Sequence, residues 1–262
     1  MYKLLIIGKN SFIGSSLKNY LSKRNNFEIL SFEEIINKKS SFFLQFTHVI
    51  NTAIHKNYVK KKYNKIYDLD RKFIYKFKKI NFTYIYLNTR KIYFQKKNIR
   101  EESLKKPICN YGKNKLKTEI FLKKKLKNKL LSLRVGNIIG KRIVKNKRNN
   151  HKLFFDNFLI YRKKNKKLKV LNDFKDFLSI DQFCKIVDNL IKKKVSGIYN
   201  ISLSEKIYIS ELISWIDIDF YRKISFVNGS KDSFTLSNKK LLKKIDVKPL
   251  KNELKKFCKN II

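Results

Sequence analysis

Glycine, proline and cysteine are all scarce in this 262-residue chain, at seven, two and three residues. Two prolines, Pro107 and Pro249, and so little glycine exclude collagen-like, proline-rich and flexible-linker architectures. The cysteines (Cys109, Cys184, Cys258) are odd in number and far apart, which gives neither a disulfide framework nor the close spacing of a zinc site. No metal is expected. No apolar run approaches the roughly 18 residues that span a bilayer. The opening "MYKLLIIGKN" has too short an apolar core for a signal peptide and no small-residue cleavage site. The expectation is a cytoplasmic protein, mature from Met1, with no membrane span.

Acidic residues are also few: 20 Asp+Glu stand against 63 Lys+Arg, a net charge of +43. Such an excess first suggests a nucleic-acid binder. Arginine, the residue suited to bidentate phosphate and base contacts, accounts for only nine of those cations. The lysines are scattered through "NYVKKKYNK", "FLKKKLKNK" and "YRKKNKKLK" rather than gathered in one stripe. Lysine, asparagine and isoleucine rise together, as they do when a coding sequence is rich in A and T. Solvated helix faces are therefore the expectation, and nucleic acid is not an expected partner. Hydrophobic residues make up 43%, too many for disorder and enough for one large core with a smaller lobe.

Along the chain, "YKLLIIG" reads as a buried strand closed by Gly8, followed by an amphipathic helix over Ser15 to Ser22. "FEILSF" and "HVINTA" are further strands, separated by a short helix around Glu33 to Lys38. "DLDRKFIYKFKKI" places Leu69, Phe73, Ile74 and Phe77 on one helical face. "TYIYLNT" is a strand, "YGKNKLKTEIFLKKKL" a helix, and "LLSLRVGNIIG" another strand. Strands alternating with helices of this length predict parallel βαβ units: an α/β, Rossmann-like, doubly wound sheet over residues 1–150. Beyond residue 150 the alternation loosens, and 151–262 reads as a smaller, mainly substrate-binding lobe with some elements returning to the sheet.

A dinucleotide cradle needs backbone N–H groups at a helix N-terminus and no side chain in the way of the pyrophosphate. Gly8 permits a sharp exit from the first strand, and Gly14 close packing of the first helix. This spacing is not G-x-G-x-x-G, and alone it serves equally well as a tight strand-to-helix turn. However, "GKNSFIG", "INTA", "LNTRKIY", "YGKNK" and "RVGNIIG" follow one another in an order that resembles the extended short-chain dehydrogenase/reductases. More narrowly, it resembles the nucleotide-sugar epimerases, dehydratases and reductases. The resemblance covers essentially the whole chain, with "KDFLSIDQF" and "GIYNIS" in the second half. "LSNKKLLKKIDVKP" resembles that family's closing helix.

The resemblance implies an NAD or NADP cofactor held at Gly8, Ser11, Phe12, Ile13 and Gly14, with serine replacing the family's middle glycine. Asn51 and Ala53 match the loop along the cofactor phosphates. Ser31, closing the second strand, stands where an acid would select NAD, and Glu33 is the nearby substitute if the loop is longer. Tyr111 and Lys115 have Y-x-x-x-K spacing, which puts both on one helix face. A free tyrosine titrates near 10, so acid–base work at neutral pH requires a shift of roughly three pH units, about 4 kcal/mol. An adjacent lysine ammonium stabilises the phenolate and is expected to supply that shift. The same lysine holds the nicotinamide ribose in the family. Thr89 falls at the family's Ser/Thr position, where its hydroxyl polarises a substrate oxygen; a strand-capping threonine is the plainer alternative. Arg90 and Lys91 replace the Asp-Glu pair of sugar 4,6-dehydratases, which speaks against dehydration.

For the substrate, the resemblance implies Thr89, Asn137 and Lys175, the last replacing an arginine near the diphosphate and lacking its planar fork. The expected function is NAD(P)-dependent oxidoreduction of a nucleotide-sugar. Keto-sugar reduction is favoured over epimerisation through a transient ketone, and surface-polysaccharide synthesis is the implied setting. A dinucleotide-binding relative without turnover is the alternative, and a basic nucleic-acid binder the more distant one. A homodimer through the Tyr-Lys helix is implied, although "FLKKKLKNK" would bring many cations to that interface.

Overall fold

Leu4–Ile7 (β1) is buried along its whole length, as a strand covered on both faces of a parallel sheet must be. A computed structural model gives the structure of residues 2–24, 26–94, 97–142, 154–164, 168–229 and 232–262. β1 is followed by α1 (Phe12–Leu21), β2 (Phe27–Leu30), α2 (Phe32–Ile36), β3 (His48–Asn51), α3 (Lys56–Lys60), α4 (Leu69–Tyr75), β4 (Thr83–Thr89), α5 (Asn110–Leu126) and β5 (Leu130–Val135). The second half supplies β6 (Asn137–Ile139), α6 (Phe154–Lys164), β7 (Leu168–Leu171), β8 (Phe174–Lys175), β9 (Phe177–Ser179), α7 (Ile180–Lys192) and β10 (Gly197–Ile201). Then come β11 (Ile207–Tyr208), α8 (Ile209–Ile216), α9 (Ile218–Tyr221), β12 (Ile224–Val227), α10 (Lys239–Leu242) and α11 (Lys251–Lys259).

Six strands form one sheet in the order β10-β5-β4-β3-β1-β2, with every neighbouring pair parallel. This is the α/β, Rossmann-like doubly wound sheet that the alternation predicts. Successive side chains of β1 point to opposite faces. Leu4 and Ile6 enter the core under α1 and α7, and Leu5 and Ile7 enter the core under α4 and α5. Strand order reverses at β1, so the crevice beyond its carboxyl end is the switch point where open α/β sheets take ligands. The remaining strands form three pairs, β6 with β9, β7 with β12 and β8 with β11.

Four sequence expectations are corrected. The first helix begins at Phe12 rather than Ser15, because Ser11 caps it. The helix over "DLDRKFIYKFKKI" stops at Tyr75; Phe77 lies beyond it yet still reaches the same core. "LLSLRVGNIIG" is two strands: Gly136 N bonds Ile201 O, completing the β5–β10 ladder, and Asn137 N then turns to Asp176 O. A Cβ at Gly136 would lie 3.2 Å from that Asp176 carbonyl. Within "LSNKKLLKKIDVKP" only Lys239–Leu242 is helical, and the closing helix is Lys251–Lys259. The expected boundary at residues 150 and 151 lies outside the described residues. No helix among the described residues is long and apolar enough to cross a membrane, and none of their His, Cys, Asp and Glu groups could hold a metal.

Candidate active site

The first strand-to-helix turn is tied together by a residue the sequence reading did not single out, Thr52. Its Oγ1 donates to Ile7 O at 2.7 Å and lies 2.6 Å from Ser11 Oγ. Gly8 adopts φ +106°, a region that disfavours side chains, and a Cβ there would lie 2.8 Å from Ala53 N. A Cβ at Gly14 would meet Thr52 Oγ1 at 2.7 Å and Ser11 Oγ at 2.8 Å. Both glycines are therefore required by close packing. Ser11 at the middle position caps α1, its Oγ accepting from Gly14 N at 2.9 Å. That satisfies one helix-terminal donor and leaves Phe12 and Ile13 with N–H groups that have no intrahelical partner. The first turn carries no acidic residue. Amides without an intrahelical partner, in a first helical turn without a carboxylate, fit a dinucleotide pyrophosphate.

At the end of β2, Ser31 caps α2 in a reciprocal box with Glu34. Glu34, not Glu33, turns back here: it accepts from Ser31 N at 2.6 Å and pairs with Lys9 at 2.6 Å. The Lys9 ammonium and the Ser31 amide hold its carboxyl at about 2. The carboxylate beside the expected ribose position is therefore three residues beyond Ser31. An S-x-x-E capping box was the signal for it. On the third strand, Asn51 is buried and shapes the loop, accepting from Ala53 N at 3.0 Å and donating to Asp70 Oδ1 at 3.0 Å.

Thr89 ends β4, and its Oγ1 also accepts from Lys91 N at 3.3 Å, so the capping role is present. α5 docks directly on the turn after Thr89. Gly112 allows this, because a Cβ there would overlap the Lys91 carbonyl and lie 3.1 Å from Pro107 Cβ. The docking brings Tyr111, next to Gly112, onto the segment that presents Thr89. Tyr111 as a residue keeps partial exposure, while burial of its hydroxyl end, followed by the charge of Asp70 and the Cys109 thiol, pushes the phenol up. The sequence expectation was the reverse, a phenol lowered by Lys115.

The reason is where the Lys115 ammonium goes. It donates to Leu87 O at 2.8 Å, lies 3.9 Å from Asp70 Oδ2, and sits over the Tyr86 ring at 4.6 Å and the Tyr58 ring at 5.7 Å. Asp70 accepts from Asn51 Nδ2 at 3.0 Å and from Tyr84 OH at 2.8 Å, and is 5% exposed. Burial pushes the Asp70 carboxyl up and the Lys115 ammonium down, and their mutual attraction opposes both shifts. Nothing in the spacing of "DLDRKF" announced a carboxylate facing Lys115.

On the substrate side, Asn137 opens β6 beside β9, and its N–H donates to Asp176 O, next to Lys175. Lys175 itself lies on β8, which pairs with β11 rather than with β6. Lys175 pairs with Asp232 at 2.9 Å, and Asp232 also binds Arg90, whose guanidinium stacks 4.0 Å above Phe234. Arg90 directly follows Thr89, so the two expected substrate regions meet around Asp232. A cavity of about 820 Å³ lies elsewhere, between α1, the start of α7 and α11.

No protein-family model matches the chain, and no sequence among curated proteins matches it. Solved structures do match its fold. Over 99% of this chain and 96% of the other, it superimposes with TM-score 0.80 and 16% identity on a UDP-N-acetylglucosamine 4-epimerase from Methanobrevibacter ruminantium in complex with UDP-N-acetylmuramic acid. A Bacillus cereus UDP-glucuronic acid 4-epimerase with UDP-glucuronic acid and NAD gives 0.78 and 18% over 99% and 97% of the two chains. A Bacillus anthracis dTDP-4-dehydrorhamnose reductase with NADP gives 0.79 and 15%, with 98% of each chain covered. The fold is that of the extended short-chain dehydrogenase/reductases, as the ordered motifs implied.

Proposed function

We propose that this protein is an NAD(P)-dependent nucleotide-sugar oxidoreductase, favouring reduction of a keto-sugar over epimerisation. The docking of α5 on the turn after Thr89 carries the reading, because it brings the helix that holds Tyr111 and Lys115 to the end of β4, at the same edge of the parallel sheet as the Gly8–Gly14 turn after β1. Three structurally similar proteins are two sugar 4-epimerases and a reductase, the last two with NAD or NADP. Residues 1–150 serve the dinucleotide and 151–262 mainly the substrate, the latter through Lys175.

A bound nicotinamide supplies or accepts the hydride at its C4. The chain does the rest. Amides of Phe12 and Ile13 hold the pyrophosphate, with Asn51 fixing the Ala53 loop beside it. Thr89 Oγ1 orients the sugar oxygen. Tyr111 gives that oxygen a proton, a role suited to a phenol that burial keeps protonated. Lys115 holds the nicotinamide ribose, and Lys175 with Asn137 takes the diphosphate end. Arg90 and Lys91 offer no acid for water elimination.

The test is hydride transfer between NADH or NADPH and a panel of UDP- and dTDP-4-keto-sugars, followed as loss of absorbance. Turnover is expected with at least one of them, and Tyr111→Phe should reduce kcat by roughly 10²–10⁴-fold while nucleotide binding persists. Absence of both nicotinamide binding and hydride exchange would overturn the reading. A relative that binds dinucleotide without turnover is the second reading, favoured by the resting contact of Lys115 with Asp70 instead of Tyr111. Binding of NAD(H) or NADP(H) with no exchange across the panel would select it.

A further inference from the structure

Asp70 stands at the centre of the site's buried charges without belonging to any motif that led there. It lies in the first turn of α4 and touches the site from beneath: Asn51 from β3, Tyr84 from β4 and Lys115 from α5 all converge on its two oxygens. Two hydrogen-bond donors fix Oδ1, which leaves Oδ2 turned toward the ammonium. The ammonium is confined in turn by the Leu87 carbonyl and by two aromatic faces. Both side chains are nearly buried, Asp70 and Lys115 being 5% and 6% exposed.

From this geometry we infer that Asp70 is a positioning residue, which anchors Lys115 on Leu87 and biases the cleft toward proton donation by Tyr111. The inference rests on the oxidoreductase reading above and gives it a direction.

The electrostatics run the same way. An ammonium free to approach the phenol would stabilise phenolate, and so favour a base that removes a proton from a sugar alcohol. An ammonium balanced by a carboxylate at 3.9 Å offers the phenol little net charge. The carboxylate itself adds to burial in raising Tyr111. The other ionisable groups around Asp70 do not reverse this. Asp68, in the same turn, is also fully buried, and accepts from Tyr63 OH at 2.8 Å and from Thr118 Oγ1 at 2.5 Å. Tyr58 from α3, and Tyr84 and Tyr86 from β4, are phenols that burial raises. The Cys109 thiol acts on Tyr111 in the same upward sense. Lys115 is the cation that pairs with Asp70, while Arg71, bonded to Tyr63, and Lys117, 5.3 Å over the Tyr63 ring, act on the Asp68 side of the cluster.

A protonated Tyr111 matches carbonyl reduction. The carbonyl carbon takes a hydride, with its two electrons from reduced nicotinamide, while the oxygen takes the phenol proton. The phenolate left behind recovers a proton from solvent.

The experiment reads Tyr111 directly, without turnover. Protein labelled with [13Cζ]tyrosine is titrated by NMR, and Tyr111→Phe identifies the resonance. In wild type, Tyr111 should stay protonated past the pH at which exposed tyrosines ionise. In Asp70→Asn its midpoint should fall by about one pH unit or more, and the alkaline limb of the kcat/KM profile for reduction should move to lower pH with it. Asp70→Glu, which keeps the charge, should titrate like wild type even if it is less stable. Should Asp70→Asn not fold, Asp70→Ser is the neutral variant to use. A wild-type Tyr111 that ionises at or below the ordinary tyrosine range would overturn the proposal, as would neutral variants that titrate like wild type. The oxidoreductase reading fails by a different result, wild-type protein that neither binds a nicotinamide nucleotide nor exchanges hydride with any substrate of the panel.

Discussion

At Gly14 a single methyl group would collide with the Gly8 carbonyl, Thr52 Oγ1 and Ser11 Oγ together. The first is backbone and the other two are hydrogen-bonded to each other, so none can give way easily. Gly14→Ala should therefore destabilise the fold by about 1–3 kcal/mol and weaken nicotinamide nucleotide binding at least tenfold. Urea denaturation and fluorescence titration with NADH check the two effects, and unchanged binding would show that the turn is structural only. Both glycines and Ser11 were legible in the sequence as a sharp strand-to-helix turn, because a strand that ends in glycine just before a helix must turn tightly. Thr52 was not legible, because a threonine after a strand says nothing until its hydroxyl is seen closing the turn. Asp70 was hidden for a similar reason. A carboxylate in a helical first turn ordinarily faces water, and only the packing of α4 under α5 turns this one inward.

The element that decides the site is α5, and its placement depends on a buried ion pair as well as on Gly112. Glu119, one turn beyond Lys115, takes Arg134 of β5 through both oxygens, at 2.6 and 3.0 Å, and accepts from Ser132 at 2.6 Å. Arg134 continues to Tyr93 OH and Glu101 O, both at 2.6 Å, and so binds the segment after Thr89 to the same helix. Truncating one partner leaves the other charge buried and unpaired. Glu119→Ala is expected to cost about 3–5 kcal/mol, seen as a lower urea midpoint with an unchanged slope. Replacing both partners, Glu119→Leu with Arg134→Met, should recover most of that loss, since an apolar pair of similar volume avoids the unpaired charge. If kcat recovers with stability, the pair serves only to hold α5. The Y-x-x-x-K spacing announced which face of α5 matters. It could not announce the direction of the Lys115 ammonium, which a distant helix sets.

For the molecule as a whole, the alternation of strands and helices foretold the sheet, since each parallel strand must be covered on both faces. The second half was harder to read, because all its strands but β10 have only two to four residues, too few to show a period. The net charge of +43 belongs to this scale. Ion pairs such as Arg24–Asp188, Arg162–Asp217 and Lys251–Glu211 neutralise part of it. With 63 cations against 20 acids, most lysines have no acid available. Self-repulsion then opposes the compact state, and salt relieves it. Raising NaCl from about 20 to about 300 mM, which shortens the Debye length severalfold, should raise Tm. A relief of 1–2 kcal/mol corresponds to roughly 2–8 °C in a chain of this size. Binding to duplex DNA should weaken steeply over the same range, because scattered lysines provide attraction without register. On the proposed function NADH affinity should fall far less, since phosphate held through the amides of Phe12 and Ile13 involves no side-chain charge. A Tm that falls with salt would mean that the ion pairs outweigh the repulsion. Duplex affinity that survives 300 mM NaCl would mean that the lysines form a binding surface after all.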